Sequence, residues 1–124
     1  MLFTISLTEN KQFLSLYKRG KTVGSKSCIF YYFQNKLPFN RLGITTSKKV
    51  GNAVCRNRAR RVIRAAYQQN EVNFPIGYDF VIVAREAASQ VKAGEISTFF
   101  KNKVIKDINK SKTVQISQKS NQVK

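Results

Sequence analysis

The 124-residue sequence contains no histidine, no tryptophan, two cysteines and six acidic residues. Without histidine, the chain cannot supply an imidazole general base, a histidine-activated nucleophile or an imidazole metal ligand. Cys28 and Cys55 are too few for a four-ligand zinc site or a disulfide framework, so we expect a reducing compartment, the cytoplasm. These absences exclude most familiar hydrolase and metalloprotein sites.

Long hydrophobic runs are also missing. The apolar start, residues 1–7, lacks the positive leading segment and the small-residue cleavage site of an export signal. No stretch reaches the roughly 18 uncharged apolar residues that a membrane span needs. Because 42% of the residues are hydrophobic, we expect a single soluble globular domain with no membrane partner.

Negative charge is scarce, whereas positive charge is abundant. The 23 lysines and arginines oppose six acidic residues, which gives a net charge of +17. Between Glu9 and Glu71 the chain holds 14 lysines and arginines and no acidic residue. A solvated helix face normally carries both signs, because oppositely charged i,i+4 pairs stabilise it. The missing counter-charge indicates an external polyanion, most simply the phosphates of a nucleic acid.

The carboxylates are dispersed, which argues against a catalytic centre built by this chain. They occur singly, with no pair at a spacing that forces two of them together: Glu9, Glu71, Asp79, Glu86, Glu95 and Asp107. Nuclease chemistry by protein groups needs carboxylates converging on metal ions, or a histidine, tyrosine or serine constellation. The glycines form no nucleotide-binding loop. Cys55 falls in an apolar stripe and is interpreted as a packing residue rather than a nucleophile.

Hydrophobic patterning predicts the element order α-β-β-α-β-α. Helices are predicted over residues 8–19 with Thr8 as the N-cap, over 53–70 and over 95–109, and strands over 26–34, 41–47 and 78–84. The first two strands are predicted to form an antiparallel hairpin, and the third to be central and buried. The fold class is therefore α+β, a small α-β sandwich with helices on a mixed, mostly antiparallel sheet.

The domain is predicted to span residues 1–110. Residues 111–124 are rich in Ser, Gln, Asn and Lys, with too few apolar side chains to offset the entropy of ordering. We expect them to form a disordered basic tail.

The predicted helix over residues 53–70 separates apolar from basic side chains. At 3.6 residues per turn, one stripe holds Cys55, Ala59, Val62, Ile63 and Ala66. The opposite arc holds Arg56, Asn57, Arg60, Arg61 and Arg64, with Arg58 at its border. One face is expected to pack on the sheet while the other projects guanidinium groups.

The string S-K-K-V-G-N-A-V-C-R-N-R-A-R-R-V-I-R, residues 47–64, resembles the protein subunit of bacterial ribonuclease P. It satisfies the pattern of that family, S-K-K-[IV]-G-N-A-V-x-R-N-R-x-[KR]-R-x-[IL]-R, at every specified position. The resemblance covers about residues 7–109, including Phe13 and Tyr17 before Gly20, Tyr31, Leu42-Gly43-Ile44, and Tyr78 to Arg85 followed by Ala87-Ala88-Ser89. The sequence departs from the family at Cys55, where Met is common, at Glu86-Ala87, where a Lys-Pro-like pair is frequent, and in the tail.

The resemblance implies a function and a fold. The chain would be the accessory protein of a catalytic RNA that, with its own bound Mg²⁺, cleaves the 5′ leader from precursor tRNA. Its partners would be that RNA and precursor tRNA, with no obligate protein partner, no catalytic residues and no metal or cofactor held by the protein itself. The fold would be of the ribosomal protein S5 domain 2-like type, with a left-handed βαβ crossover against the usual right-handed rule.

The resemblance also assigns roles to individual residues. The catalytic RNA would be bound by Arg56, Asn57, Arg58, Arg60, Arg61 and Arg64. The leader cleft would be formed by Phe13, Tyr17, Ile29, Tyr31, Phe33, Lys48 and Lys49. Two alternatives stay open on the residues themselves: Arg58 could brace the fold, and the aromatic and aliphatic cleft residues, Ile29 and Phe33 above all, could be core.

Three other functions compete with this hypothesis. A general RNA-binding protein of ribosomal-protein or RNA-chaperone type shares the size and charge, and differs by lacking the R-N-R string. A DNA-binding module is disfavoured because no second helix precedes the basic one by a short turn. A stand-alone protein nuclease lacks paired carboxylates.

Overall fold

The computed structural model describes residues 1–111, which form a five-stranded sheet with helices on both faces. The strands are β1 (Thr4–Ser6), β2 (Lys21–Gly24), β3 (Cys28–Gln34), β4 (Asn40–Thr45) and β5 (Tyr78–Ala84). The helices are α1 (Asn10–Arg19), α2 (Ala53–Asn70) and α3 (Ala93–Phe99), the last continued by a π-helical turn (Phe100–Val104) and by helical residues 105–111. Short 3₁₀ turns cover Lys48–Val50, Glu71–Asn73 and Glu86–Ser89.

The strand order is β1-β4-β5-β3-β2, with β5 in the centre as predicted. Strand β4 pairs parallel with both β1 and β5, whereas β3 pairs antiparallel with both β5 and β2. The α+β sandwich with a mixed sheet is confirmed. The predicted hairpin of β3 with β4 is wrong, since β5 lies between them, and the sheet is half parallel rather than mostly antiparallel.

The chain connectivity explains this correction. Strand β4 leads into the long helix α2, and such a crossover is the connection that two parallel strands require. The resulting β4-α2-β5 unit is the βαβ crossover for which the resemblance implies a left hand, and that hand stays a prediction. Strands β1 and β2 were not predicted because 3 and 4 residues are too short to show a period.

Alternation along the strands separates two apolar clusters. Residues Cys28, Phe30 and Tyr32 of β3 face the larger cluster, which lies between the sheet and helices α2 and α3. In that cluster, the ring of Phe30 stacks on Phe74 with centroids 5.6 Å apart. The other sheet face carries a smaller cluster beneath α1, with Leu7, Leu16 and Val81 buried.

Local capping fixes the start of the two site-bearing helices. Helix α1 begins after Glu9, which forms a capping box with Gln12, so the predicted Thr8 cap is wrong by one residue. Helix α2 has the predicted bounds, and the Asn52 side chain accepts a hydrogen bond from the Cys55 N–H at 3.0 Å. Gly51 adopts φ 133°, a conformation that a side chain would disfavour.

The C-terminal end differs in detail from the prediction. Helix α3 begins two residues earlier than predicted, at Ala93, and Ser111, the first residue of the predicted tail, is still helical. The remainder of the predicted tail, residues 112–124, lies outside the described residues. None of the helices within residues 1–111 has the length and apolar character needed to cross a membrane.

Candidate nucleic-acid interface

The outer face of α2 forms an open basic groove. The groove has a volume of about 530 Å³ and is lined by Val54, Asn57, Arg60, Arg61 and Arg64, all exposed to solvent. No carboxylate is among these lining residues, so three guanidinium groups lie together without a neighbouring negative charge in the groove. Guanidinium groups bind phosphate oxygens through paired hydrogen bonds, and an amide can reach a base or a sugar.

The structure places the other two predicted residues of this helix elsewhere. The Nε of Arg58 donates a hydrogen bond to the main-chain oxygen of Ser89 at 2.7 Å. Arg58 therefore braces α2 against the 3₁₀ turn after β5, which is the alternative that the sequence left open. Arg56 is half-buried beside the apolar stripe and does not line the groove.

The predicted cleft aromatics meet on the opposite face of the sheet. The rings of Tyr17 on α1 and Tyr31 on β3 are in edge-to-face contact, with centroids 5.0 Å apart and planes at 70°. Tyr17 is 41% exposed, while Phe13 is half-buried and packs over Gly43. Tyr17 is thus available for stacking, whereas Phe13 belongs to the small apolar cluster and supports the helix that carries Tyr17.

A second groove lies beside these aromatics at the N-terminal end of β3. It has a volume of about 680 Å³, and Ile29 and Val83 form its apolar floor. Lys26, Lys49 and Arg85 supply positive charge at its walls, against one carboxylate, Glu86. The sequence predicted Ile29 and Lys49 as cleft residues but not Lys26 and Arg85. These two cations could have been found from their positions, since Lys26 precedes β3 and Arg85 follows β5.

Apart from the three aromatic residues around Tyr17, two more predicted cleft residues lie outside this groove. Lys48 is exposed in the 3₁₀ turn but does not line the groove. Phe33 is 42% exposed and lines a different pocket, at the far end of β3. Ile29 and Phe33 share a sheet face, as predicted, but four residues of extended strand, about 13 Å, separate them.

Titratable groups with shifted pKa values lie outside both grooves. Burial raises the pKa of the Cys28 thiol to about 12. A hydrogen bond with Ser25 acts in the opposite direction but has the smaller effect. The hydrogen bonds of Arg41 with Asp79 raise the pKa of that guanidinium group. Within residues 1–111, no three or more acidic or cysteine side chains are grouped so that they could hold a metal ion.

Comparison with known proteins decides the family. The family described as Ribonuclease P matches residues 3–108, nearly all of the described chain. The chain belongs to the ribonuclease P protein family. The ribonuclease P protein component of Lachnoclostridium phytofermentans is 44% identical over 93 residues, which are 75% of this chain and 80% of that protein. The ribonuclease P protein component of Clostridioides difficile is 38% identical over 102 residues, 82% of this chain and 90% of that protein.

Solved structures of the family share the fold. The Staphylococcus aureus RNase P protein superposes with a TM-score of 0.70 at 30% identity, covering 85% of this chain and 94% of that one. The Thermotoga maritima RNase P protein superposes with a TM-score of 0.69 at 27% identity. The match covers 78% of this chain and 92% of the Thermotoga protein. The chain is therefore a ribonuclease P protein component, which is part of an endoribonuclease complex that processes tRNA.

Proposed function

We propose that this ribonuclease P protein binds the catalytic RNA through the outer face of α2 and the 5′ leader of precursor tRNA across the opposite sheet face. The RNA subunit and its Mg²⁺ would carry out the cleavage, and the protein would lower the Mg²⁺ concentration that cleavage requires. The observation that carries the proposal is the α2 groove, where Arg60, Arg61 and Arg64 lie together with no carboxylate lining the groove.

The α2 groove suits a folded RNA. Because the three arginines repel one another in the free protein, a polyanion in the groove relieves that repulsion and releases counterions. The groove is open to solvent on the outer face of α2, and Asn57 lies beside the arginines for a base or sugar contact. Arg58 supports this surface indirectly through its hydrogen bond to Ser89.

The opposite face suits a single strand. Tyr17 offers an exposed ring held by its edge contact with Tyr31, and aromatic rings stack bases with little regard to sequence. The neighbouring groove combines an apolar floor at Ile29 with the Lys49 ammonium group, so that bases and phosphates both find partners. This combination of stacking and positive charge supports leader binding.

The proposal is tested by precursor tRNA cleavage with a bacterial ribonuclease P RNA at low Mg²⁺, with and without the protein. We expect the RNA to cleave at lower Mg²⁺ when the protein is present, and we expect the protein freed of RNA to be inactive. The Arg60→Ala/Arg64→Ala variant should lose most of this effect. The matched control is Lys101→Ala/Lys106→Ala, which removes the same charge from exposed positions after α3. Equal losses in both variants would point to a general RNA-binding protein instead.

A further inference from the structure

A third pocket lies at the C-terminal end of β3, away from both grooves. Its volume is about 430 Å³, and its walls include the exposed ring of Phe33 and the cationic residues Arg19, Lys21 and Lys36. Tyr78 also lines the pocket, from the sheet face opposite to that of Phe33. An accessible aromatic ring among three cations has the composition of a nucleotide site, because it offers a stacking surface and a phosphate partner together.

The pocket is separate from the groove at Ile29. Tyr31 lies between Ile29 and Phe33 on the same sheet face, and Tyr17 of α1 covers Tyr31. The end of α1 brings Arg19 to the far side of this barrier, whereas Lys21 pairs in register with Tyr32 and lines the pocket from the opposite face of the sheet. A ligand on Phe33 therefore contacts cations other than those of the Ile29 groove.

The three cations that line the pocket outnumber the two carboxylates near it. Asp79, which pairs in register with Phe33, is buried and forms a two-point ion pair with Arg41, through Nε and Nη2, both at 2.7 Å. Asp107 accepts a hydrogen bond from the Tyr32 hydroxyl at 2.6 Å. Lys21 donates to the hydroxyl of Ser111 at 2.9 Å, which is a neutral partner.

The loop after β3 holds one of the three cations in a fixed position. Lys36 has φ 61°, an uncommon conformation for a residue with a side chain. The Asn35 side chain maintains it by accepting a hydrogen bond from the Leu37 N–H at 2.8 Å and by donating to Asp79 Oδ1 at 2.8 Å. This anchoring fixes the main chain of Lys36 at the pocket wall, which lowers the ordering cost on binding.

We propose that this pocket binds one unpaired RNA nucleotide, with its base on Phe33 and its phosphate at Arg19 and Lys36. The proposal rests on the proposed RNA-binding function and adds a site beyond its two grooves. The nucleotide can come from the leader upstream of the Ile29 groove or from an unpaired segment of the catalytic RNA, since both present the same base and phosphate.

A tryptophan introduced at the pocket tests the proposal, because the chain has no tryptophan of its own. In the full-length Phe33→Trp variant, we expect a short oligouridylate to quench the fluorescence saturably. Adding Lys36→Gln should raise the half-saturating concentration several-fold. The control is Val72→Trp, at a position that is 67% exposed and lines none of the three pockets, and its emission should not respond in this way. Thermal melting of each variant verifies folding.

Fluorescence measurements on the assembled enzyme identify which RNA supplies the nucleotide. Quenching when catalytic RNA alone is added identifies that RNA, whereas quenching that needs precursor tRNA with a long leader identifies the leader. A folded Phe33→Trp variant that none of the three RNAs quenches would overturn the proposal. A parallel measurement of precursor tRNA affinity with the Tyr17→Ala variant tests the leader-binding proposal separately. If Tyr17→Ala weakens precursor tRNA binding but no RNA quenches Phe33→Trp, the nucleotide site at the third pocket is refuted and the leader-binding proposal stands.

Discussion

Gly43 of β4 and the ring of Phe13 are in direct contact, and a Cβ added at Gly43 would lie 2.5 Å from both Cε1 and Cζ of that ring. The contact seats α1 on the sheet and so positions Tyr17. We expect Gly43→Ala to displace the ring of Phe13 and to lower the free energy of unfolding by about 1–3 kcal/mol, the usual cost of overpacking. Urea denaturation measures this loss.

The control for that experiment is Gly24→Ala in the edge strand β2, at the other side of the sheet. An added Cβ there meets no heavy atom within 4 Å, so the stability should change by less than about 0.5 kcal/mol. If Gly43→Ala were as stable as Gly24→Ala, α1 could shift freely on the sheet, and the geometry of the aromatic pair would not depend on Gly43.

The exposed ring of Tyr17 should be needed for the leader and not for the tRNA body. We expect Tyr17→Ala to weaken precursor tRNA binding to the assembled enzyme by about 1–3 kcal/mol, the value of one stacked base, and to leave mature tRNA binding almost unchanged. Tyr17→Phe keeps the stacking surface and should retain precursor affinity. Equal losses for precursor and mature tRNA would contradict leader stacking.

The long elements were predictable from the sequence because each carries several periods of its pattern. Helix α2 has 18 residues with a regular apolar stripe, and its predicted bounds are those observed. The same periodicity placed Asn57, Arg60, Arg61 and Arg64 on one face, and the structure confirms that they line one groove. Strand pairing was not predictable in the same way, because whether β4 pairs with β3 or β5 depends on where the α2 crossover returns the chain.

The predicted leader cleft was likewise predictable only in part from the sequence. Alternation along β3 predicted correctly that Ile29, Tyr31 and Phe33 share a face. It could not show that α1 crosses that face over Tyr31 and leaves Ile29 and Phe33 in different pockets. A helix docking position depends on long-range contacts such as that of Phe13 with Gly43, which no local pattern contains.

Glu71 should make the stability of the fold sensitive to acid. Its carboxylate is buried and accepts hydrogen bonds from the Thr4 hydroxyl at 2.6 Å and from the N–H groups of Leu2 and Phe3 at 2.8 and 3.2 Å. Burial alone raises the pKa of Glu71, but these hydrogen bonds and the nearby amino terminus outweigh it and lower the pKa below 4.5. The stabilisation is therefore present above pH 4.5 and is lost as the pH falls through the folded-state pKa.

The Glu71→Gln variant tests that relationship. At pH 7 we expect it to lose about 1–3 kcal/mol of stability, because one carboxylate oxygen that accepts hydrogen bonds is replaced by a donor. Its stability should then fall less than that of the wild type as the pH is lowered from neutral through the folded-state pKa of Glu71, where the wild-type carboxylate becomes protonated. Glu95→Gln, at an exposed position, is the control and should follow the wild-type curve.

The arginines of α2 should divide into RNA-binding and bracing residues. In Arg60→Ala/Arg64→Ala, two groove cations are lost, and the log-log salt dependence of catalytic RNA binding should flatten by about 1.4–1.8, or 0.7–0.9 for each phosphate contact. In Arg58→Ala, the hydrogen bond to Ser89 is lost instead, so stability should fall by about 1 kcal/mol while the slope is nearly retained. Isothermal binding at several salt concentrations, with melting curves beside it, separates the two effects. If Arg58→Ala flattened the slope as much as one groove arginine does, Arg58 would have to leave Ser89 and contact RNA in the complex.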